Sequence, residues 1–116
     1  MGLVSAKTNK PVQGYGASLA IGTAEALGKL RVLDGAVLFD GATGATPASG
    51  AGTRLMWIPA KAAIRAGSVA GTQWDDASIG LASTAFGADT TASGTASTAF
   101  GLGTTASGNY SIAAGL

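Results

Sequence analysis

The sequence predicts an all-β fold: a thin solenoid of stacked, flattened coils preceded by short β-hairpins. Three observations carry that expectation. From Ser83 the chain reads STAFGAD, TTASGTA, STAFGLG, TTASGNY, SIAAGL, with Ala third and Gly fifth in each block. Alternate blocks match, so the period is fourteen residues, and a unit that short must stack on its neighbours to bury anything. Upstream, apolar residues alternate in two short runs bounded by turn signals. Finally, the 47% hydrophobic content is mostly alanine, with only two Trp, three Phe and two Met. A lone globule of that make-up buries little apolar area, so other copies of the chain are expected to supply the rest.

Residues 1–16 read as an irregular leader with a Lys-containing start, MGLVSAKTNK, which lacks an apolar run of signal-peptide length. SLAIG at Ser18 already fits the later S-x-A-x-G pattern. Thr23 to Leu27 can make one helical turn, capped by Thr23 and ended by Gly28. Lys29 to Leu33 alternates as a strand, Asp34-Gly35 signals a hairpin turn, and Val37 to Phe39 supply its partner. Gly41 to Thr53 is a loop around Pro47. Arg54 to Ile58 is the most apolar run and reads as a strand, Pro59-Ala60 turns the chain, and Lys61 to Arg65 returns beside it. Trp74 and Asp75-Asp76 then look like a junction, the indole covering the first coil and the charges discouraging end-to-end stacking. The organisation expected is thus a leader at 1–16, a β-rich segment at 17–76 and repeats at 77–116. The chain stops at Leu116 inside a repeat, as a piece of a longer polypeptide would.

Within one coil, Ser83, Ala85 and Gly87 share one side of a strand, and Thr84 and Phe86 the other. Gly87, Gly94, Gly101 and Gly108 are expected to turn the corners. Ala85, Ala92, Ala99, Ala106 and Ala113 keep register because only small side chains fit between two closely spaced sheets. One outer face then carries Phe86 and Phe100, continued by Ala114; the other carries Thr91, Ser93, Thr105 and Ser107. Stacked Phe residues should not stay in water, and identical parallel chains that hide them close into a cyclic oligomer.

The S-x-A-x-G runs at Ser83–Gly87, Ser97–Gly101 and Ser111–Gly115 resemble the head repeats of trimeric autotransporter adhesins, the YadA-like heads. That resemblance implies a homotrimer in which each chain contributes a left-handed parallel β-roll to an extracellular, surface-exposed fibre used for attachment. IGTAEALGKLRVLDG at Ile21 to Gly35 is similar to repeats of phage-type tail fibres. GTRLMWIPAKAAIRAG at Gly52 to Gly67, followed by GTQWDDASIG at Gly71 to Gly80, resembles the neck-like segment before such repeats in secreted bacterial fibre proteins.

Other functional classes find little support in the residues. Seven Lys and Arg against six Asp and Glu are scattered, and no basic stripe follows a phosphate backbone, so nucleic acid is not an expected partner. No stretch approaches a membrane span. His and Cys are absent, no catalytic residues or cofactor are expected, and Asp75-Asp76 lack the regular oxygen ligands of a calcium loop. GATGATPASGAG lacks the Lys-Ser/Thr of a phosphate loop. Arg54, Lys61 and Arg65 read as solvated strand-face residues or inter-chain partners of Asp34, Asp40 or Asp75. Trp57, Ile58, Trp74, Phe86 and Phe100 are the expected core and trimer-interface residues. The sequence therefore points to a non-enzymatic adhesive fibre segment that binds itself and a target-surface receptor, a glycan among the candidates. It fits a bacterial adhesin or the tail fibre of a phage or contractile injection system. Two alternatives stay open: a solenoid binding ice or another crystal surface through Thr84/Thr98 and Thr91/Thr105, and a glycan module using Trp57 or Trp74.

Overall fold

A long mixed sheet, extended one strand at a time by the repeat, organises the C-terminal two thirds of the chain. The computed structural model describes residues 13–15, 18–21 and 28–116, with side chains from residue 28 onward. The chain divides into two units, Met1–Leu38 and Phe39–Leu116.

In the first unit, β1 (Gln13–Tyr15), β2 (Ser18–Ile21) and β3 (Leu30–Val32) form one sheet in the order β1-β2-β3. β1 runs antiparallel to β2, and β2 parallel to β3 with Leu19 opposite Leu30. A strand therefore stands at Gln13–Tyr15, inside the expected irregular leader, because β2 offers it a partner. The strand expected at Lys29 to Leu33 forms, but its partner is β2 and not Val37–Phe39. Residues 36–41 are irregular, and Asp34 at φ 54° bends the chain without returning it as a hairpin. The helical turn expected at Thr23 to Leu27 lies outside the described residues.

In the second unit, β4 (Gly52–Ile58) and β5 (Ala63–Val69) form the antiparallel hairpin that the apolar alternation predicts. Pro59–Lys61 make a 3-10 turn and Ala62, at φ 50°, exits it; Pro at the start suits a turn that needs no amide there. After a second 3-10 turn at Asp76–Ser78 come β6 (Thr84–Ala88), β7 (Thr91–Ala92), β8 (Thr98–Leu102), β9 (Thr105–Ala106) and β10 (Ile112–Gly115). The long sheet runs β10-β8-β6-β5-β4, parallel except for β4/β5, and β7 pairs with β9 in a separate parallel sheet. Consecutive β6 and β8 pair at a fourteen-residue offset, Ala85 on Ala99 and Phe86 on Phe100. This is the flattened coil of a β-roll-like domain. Composition suggests a boundary at residue 77. The structure instead makes hairpin and repeats one unit, since β5 is hydrogen-bonded directly to the first repeat strand, Ile64 opposite Thr84.

The core has two parts of different chemistry. Met56, Ile58, Ala63, Val69, Trp74 and Ile79 are buried together beneath the hairpin, where each large side chain contributes about 1.5–3 kcal/mol. Ala85, Ala92, Ala99 and Ala106 form the second cluster, with Ala113 packed against it. A buried methyl is worth about 0.8 kcal/mol. The repeats therefore draw little stability from apolar burial within one chain.

Both corners of the coil are made by left-handed residues, and most of them are not glycine. At one corner stand Ala82, Ala96 and Tyr110, φ 56°, 53° and 59°. At the other are Asp89 and Gly103, φ 53° and 66°. Each amide donates to the preceding strand or coil: Ala96 N to Leu81 O at 2.7 Å, Tyr110 N to Thr95 O at 2.8 Å, Gly103 N to Ala88 O at 2.8 Å. These bonds offset the roughly 1–2 kcal/mol that a left-handed L-residue costs. The expectation that the repeat glycines turn the corners is corrected accordingly. Gly94 and Gly108 open a corner, whereas Gly87 and Gly101 lie inside β6 and β8 at φ 122° and 117°. They are glycine for another reason. A Cβ at Gly87 would fall on the carbonyl of Gly101, and one at Gly101 on that of Gly115.

Candidate functional site

Strand alternation sorts the long sheet into columns that cross it from hairpin to last repeat. Inward runs Met56–Arg65–Ala85–Ala99–Ala113, and outward run Trp57–Ile64–Thr84–Thr98–Ile112 and Leu55–Ala66–Phe86–Phe100–Ala114. The outward columns leave Leu55, Trp57, Phe86, Phe100 and Ile112 exposed side by side, Phe86 at 44% and Phe100 at 46%. At the hairpin end the face opens into an apolar cleft of about 300 Å³ lined by Phe39, Leu55, Trp57 and Ile64. No charged residue belongs to either outward column. The face is thus a continuous hydrophobic strip, the kind of surface that soluble chains cover with a partner.

The expected interface residues divide between this strip and the interior. Trp57, Phe86 and Phe100 lie on the strip. Ile58 and Trp74 are wholly buried within the chain, so they are core residues only: β4 turns Ile58 inward beside exposed Trp57, and the indole of Trp74 donates from Nε1 to Thr90 O at 2.9 Å. Burial also removes Trp74 as a stacking platform for a glycan. The Thr columns expected for a crystal surface are short. Thr84 and Thr98 are half-buried, in register between Ile64 and Ile112, and Thr91 and Thr105 belong to strands of two residues each.

The inside of the roll is more polar than the alanine register suggests. Ser83, Ser97, Thr90 and Thr104 are buried there. Ser83, Ser97 and Ser111 each donate Oγ–H to the carbonyl three residues earlier, Gly80, Gly94 and Gly108, at 2.6, 2.7 and 2.6 Å. The serine of S-x-A-x-G thereby ties the corner to the following strand, as small hydroxyl side chains do at turns.

Arg65 and Lys61 do not stand free in solvent as expected. Arg65 is wholly buried. Its Nη1 donates to Ile64 O and Ser83 O at 2.9 and 3.1 Å, and its Nη2 to Ser83 Oγ and Ala92 O at 2.9 and 3.0 Å. Desolvation pulls its pKa down to about 10, which still leaves it charged at neutral pH. Lys61 pairs with Asp76 Oδ1 at 3.3 Å and donates to Ile79 O at 2.9 Å and to Asp76 O. The Asp75-Asp76 pair acts as a clip: Asp75 Oδ1 accepts Gly50 N–H at 2.6 Å and Asp76 Oδ1 accepts the Thr46 hydroxyl at 2.7 Å. Those bonds, with Ala60 N to Gly44 O at 3.1 Å, hold the Gly-rich loop against the hairpin. Arg54 completes the clip by donating to Gly50 O at 2.8 Å while its guanidinium lies 5.8 Å from the Trp74 ring. Arg65 was legible only through a degenerate repeat: AIRAG at Ala63–Gly67 aligns with STAFG at Ser83–Gly87, putting Arg65 in the alanine column.

Among the described residues no three His, Cys, Asp or Glu side chains come together in a group able to hold a metal ion. Fold and surface together define a repeat-built β-roll domain with a hydrophobic flank. The family comparison agrees. Two copies of the YadA head domain repeat, the head repeat of trimeric autotransporter adhesins, match residues 78–104 and 92–116. The copies begin fourteen residues apart, the spacing at which β6 pairs with β8. Over the matched residues the chain is similar to the head repeats of YadA-like adhesin domains, which are extracellular, at the cell surface. Comparison with curated proteins and with solved structures finds no match.

Proposed function

We propose that this chain is a structural and adhesive segment of a homotrimeric fibre that attaches to a target surface. It serves as a bacterial surface adhesin or as the tail fibre of a phage or contractile injection system. Three copies stand parallel, each repeat region a left-handed roll, with the Phe86–Phe100 strips turned toward a common axis and the Thr91/Thr105 faces in solvent. Trp57 and the cleft beside Phe39 continue the same seam into the hairpin, and the target receptor, a glycan among the candidates, meets the outer surface.

The observation that carries this reading is the uninterrupted apolar strip Leu55–Ala66–Phe86–Phe100–Ala114 beside an alanine interior. One chain buries too little apolar surface in the repeats to leave its two phenylalanines in water, and a closed ring of identical parallel chains covers all copies of the strip equally. The head-repeat match supports the same arrangement. Multi-angle light scattering of the purified chain should give the mass of three chains. Phe100→Asp should reduce it to one chain, because three carboxylates would be forced together in an apolar seam. A wild-type monomer at micromolar concentration contradicts the proposal.

A further inference from the structure

The first coil of the roll has no coil before it on the short sheet, where β7 is paired with β9 alone. Between successive coils the amides at the ends of that ladder reach across: Thr91 N to Thr104 O at 2.8 Å, and Ser93 N and Gly94 N to Ala106 O at 3.1 and 3.2 Å. The matching acceptors one coil earlier are Thr90 O and Ala92 O, and a fourteen-residue step places their donors at residues 77, 79 and 80. Only Gly80 does this, donating to Ala92 O at 3.0 Å. The 3-10 turn at Asp76–Ser78 draws the chain aside there, and the Ile79 amide bonds to Asp76 O instead.

Two side chains stand in for the missing amides. Trp74 Nε1 donates to Thr90 O at 2.9 Å, where a Thr91-type amide would act, and Arg65 Nη2 donates to Ala92 O at 3.0 Å, where a Ser93-type amide would act. Both residues are wholly buried, and Arg65 occupies the alanine column directly beside Ala85. Among the described residues no carboxylate forms an ion pair with Arg65, and its printed bonds go to carbonyls and one hydroxyl. A guanidinium fork suits several acceptors spread across a coil end.

We propose that Arg65 and Trp74 form a cap that imitates the absent rung on the short sheet, holding the first coil shut and denying its edge to a strand of another molecule. An open strand edge is a template for such pairing, and here the stopper is a pair of side chains from the preceding segment. The device gives the roll a direction: coils are added after the first one and never before it.

The test is residue-resolved amide exchange on the full chain, with Trp74→Phe and, at the same position, 3-benzothienylalanine, which keeps the indole shape but exchanges the N–H for sulfur. The amides of Thr91, Ser93 and Gly94 should exchange at least about tenfold faster, while those of Thr84 and Thr98 on the long sheet keep their rates. Sedimentation velocity should show new species at multiples of the wild-type mass, growing with concentration. Arg65→Met should produce the same selective pattern. The benzothienyl variant keeps the test decisive if either natural substitution unfolds the chain. Equal acceleration on both sheets, exchange unchanged everywhere, or an unchanged mass distribution would each overturn the cap.

Discussion

The repeat tolerates change very unevenly, and the reason lies in which atoms of one coil touch the next. Gly101 lies within β8 at φ 117°, and a Cβ there would fall on the carbonyl of Gly115. Gly103, two residues on, has φ 66° with nothing within 4 Å of a Cβ, and Asp89 occupies the equivalent place one coil earlier at φ 53°. Gly101→Ala should therefore cost about 3 kcal/mol or more, from backbone strain plus overlap. Gly103→Asn should stay within about 1 kcal/mol. Denaturant unfolding of the two variants beside the wild type separates these expectations. The sequence marks Gly101 as part of the period, and Gly103 as replaceable by the Asp89 of the coil before, but not which atom forbids a side chain, because a close approach between coils leaves no trace in spacing. Arg65 shows the same limit more sharply. A charged residue in an alternating strand reads as solvated, and only its register opposite Ala85 shows that it lies inside.

At the level of elements, the strands with a strong apolar alternation were legible, and the contacts holding the loops were not. Arg54 to Ile58 and the return after Pro59 form the hairpin that their pattern predicts. Val37 to Phe39 has the composition of a strand, yet β2 takes the place beside β3. The clip at Asp75-Asp76 was invisible because its partners, Gly50 and Thr46, lie 25 and 30 residues away. It makes a pH-dependent contribution. The Thr46 hydroxyl, then Lys61, hold the Asp76 carboxyl below its ordinary value of 3.8. A lowered native pKa gives stability that is present above the unfolded value and is lost as pH falls through the native one. Asp76→Asn should thus lower the thermal midpoint at neutral pH, with the gap to wild type closing as both are acidified well below pH 3.8. A gap of constant size across the titration would mean that the carboxylate charge is not what the loop depends on.

For the whole molecule, the decisive property is the mismatch between a weak interior and a strongly apolar flank. Four buried alanines supply the cohesion inside the coils, while Phe86 and Phe100 lie outside them with Leu55, Trp57 and Ile112. Composition is the reason to expect surface from other copies, and the period foretold the phenylalanine column. The extension of that column across the hairpin to Leu55 depends on β5 pairing with β6 at a twenty-residue offset, a step outside the repeat. In the proposed fibre the strip is covered by other copies of the same chain. Hydroxyl-radical footprinting of the native protein tests it most directly, since the chain carries its own standards: Trp74 is buried within the fold, and Tyr110 is 80% exposed. Phe86 and Phe100 should be protected like Trp74 while Tyr110 reacts freely. If the two phenylalanines are oxidised as readily as their 44% and 46% single-chain exposure allows, the strip faces water and the assembly described here does not exist.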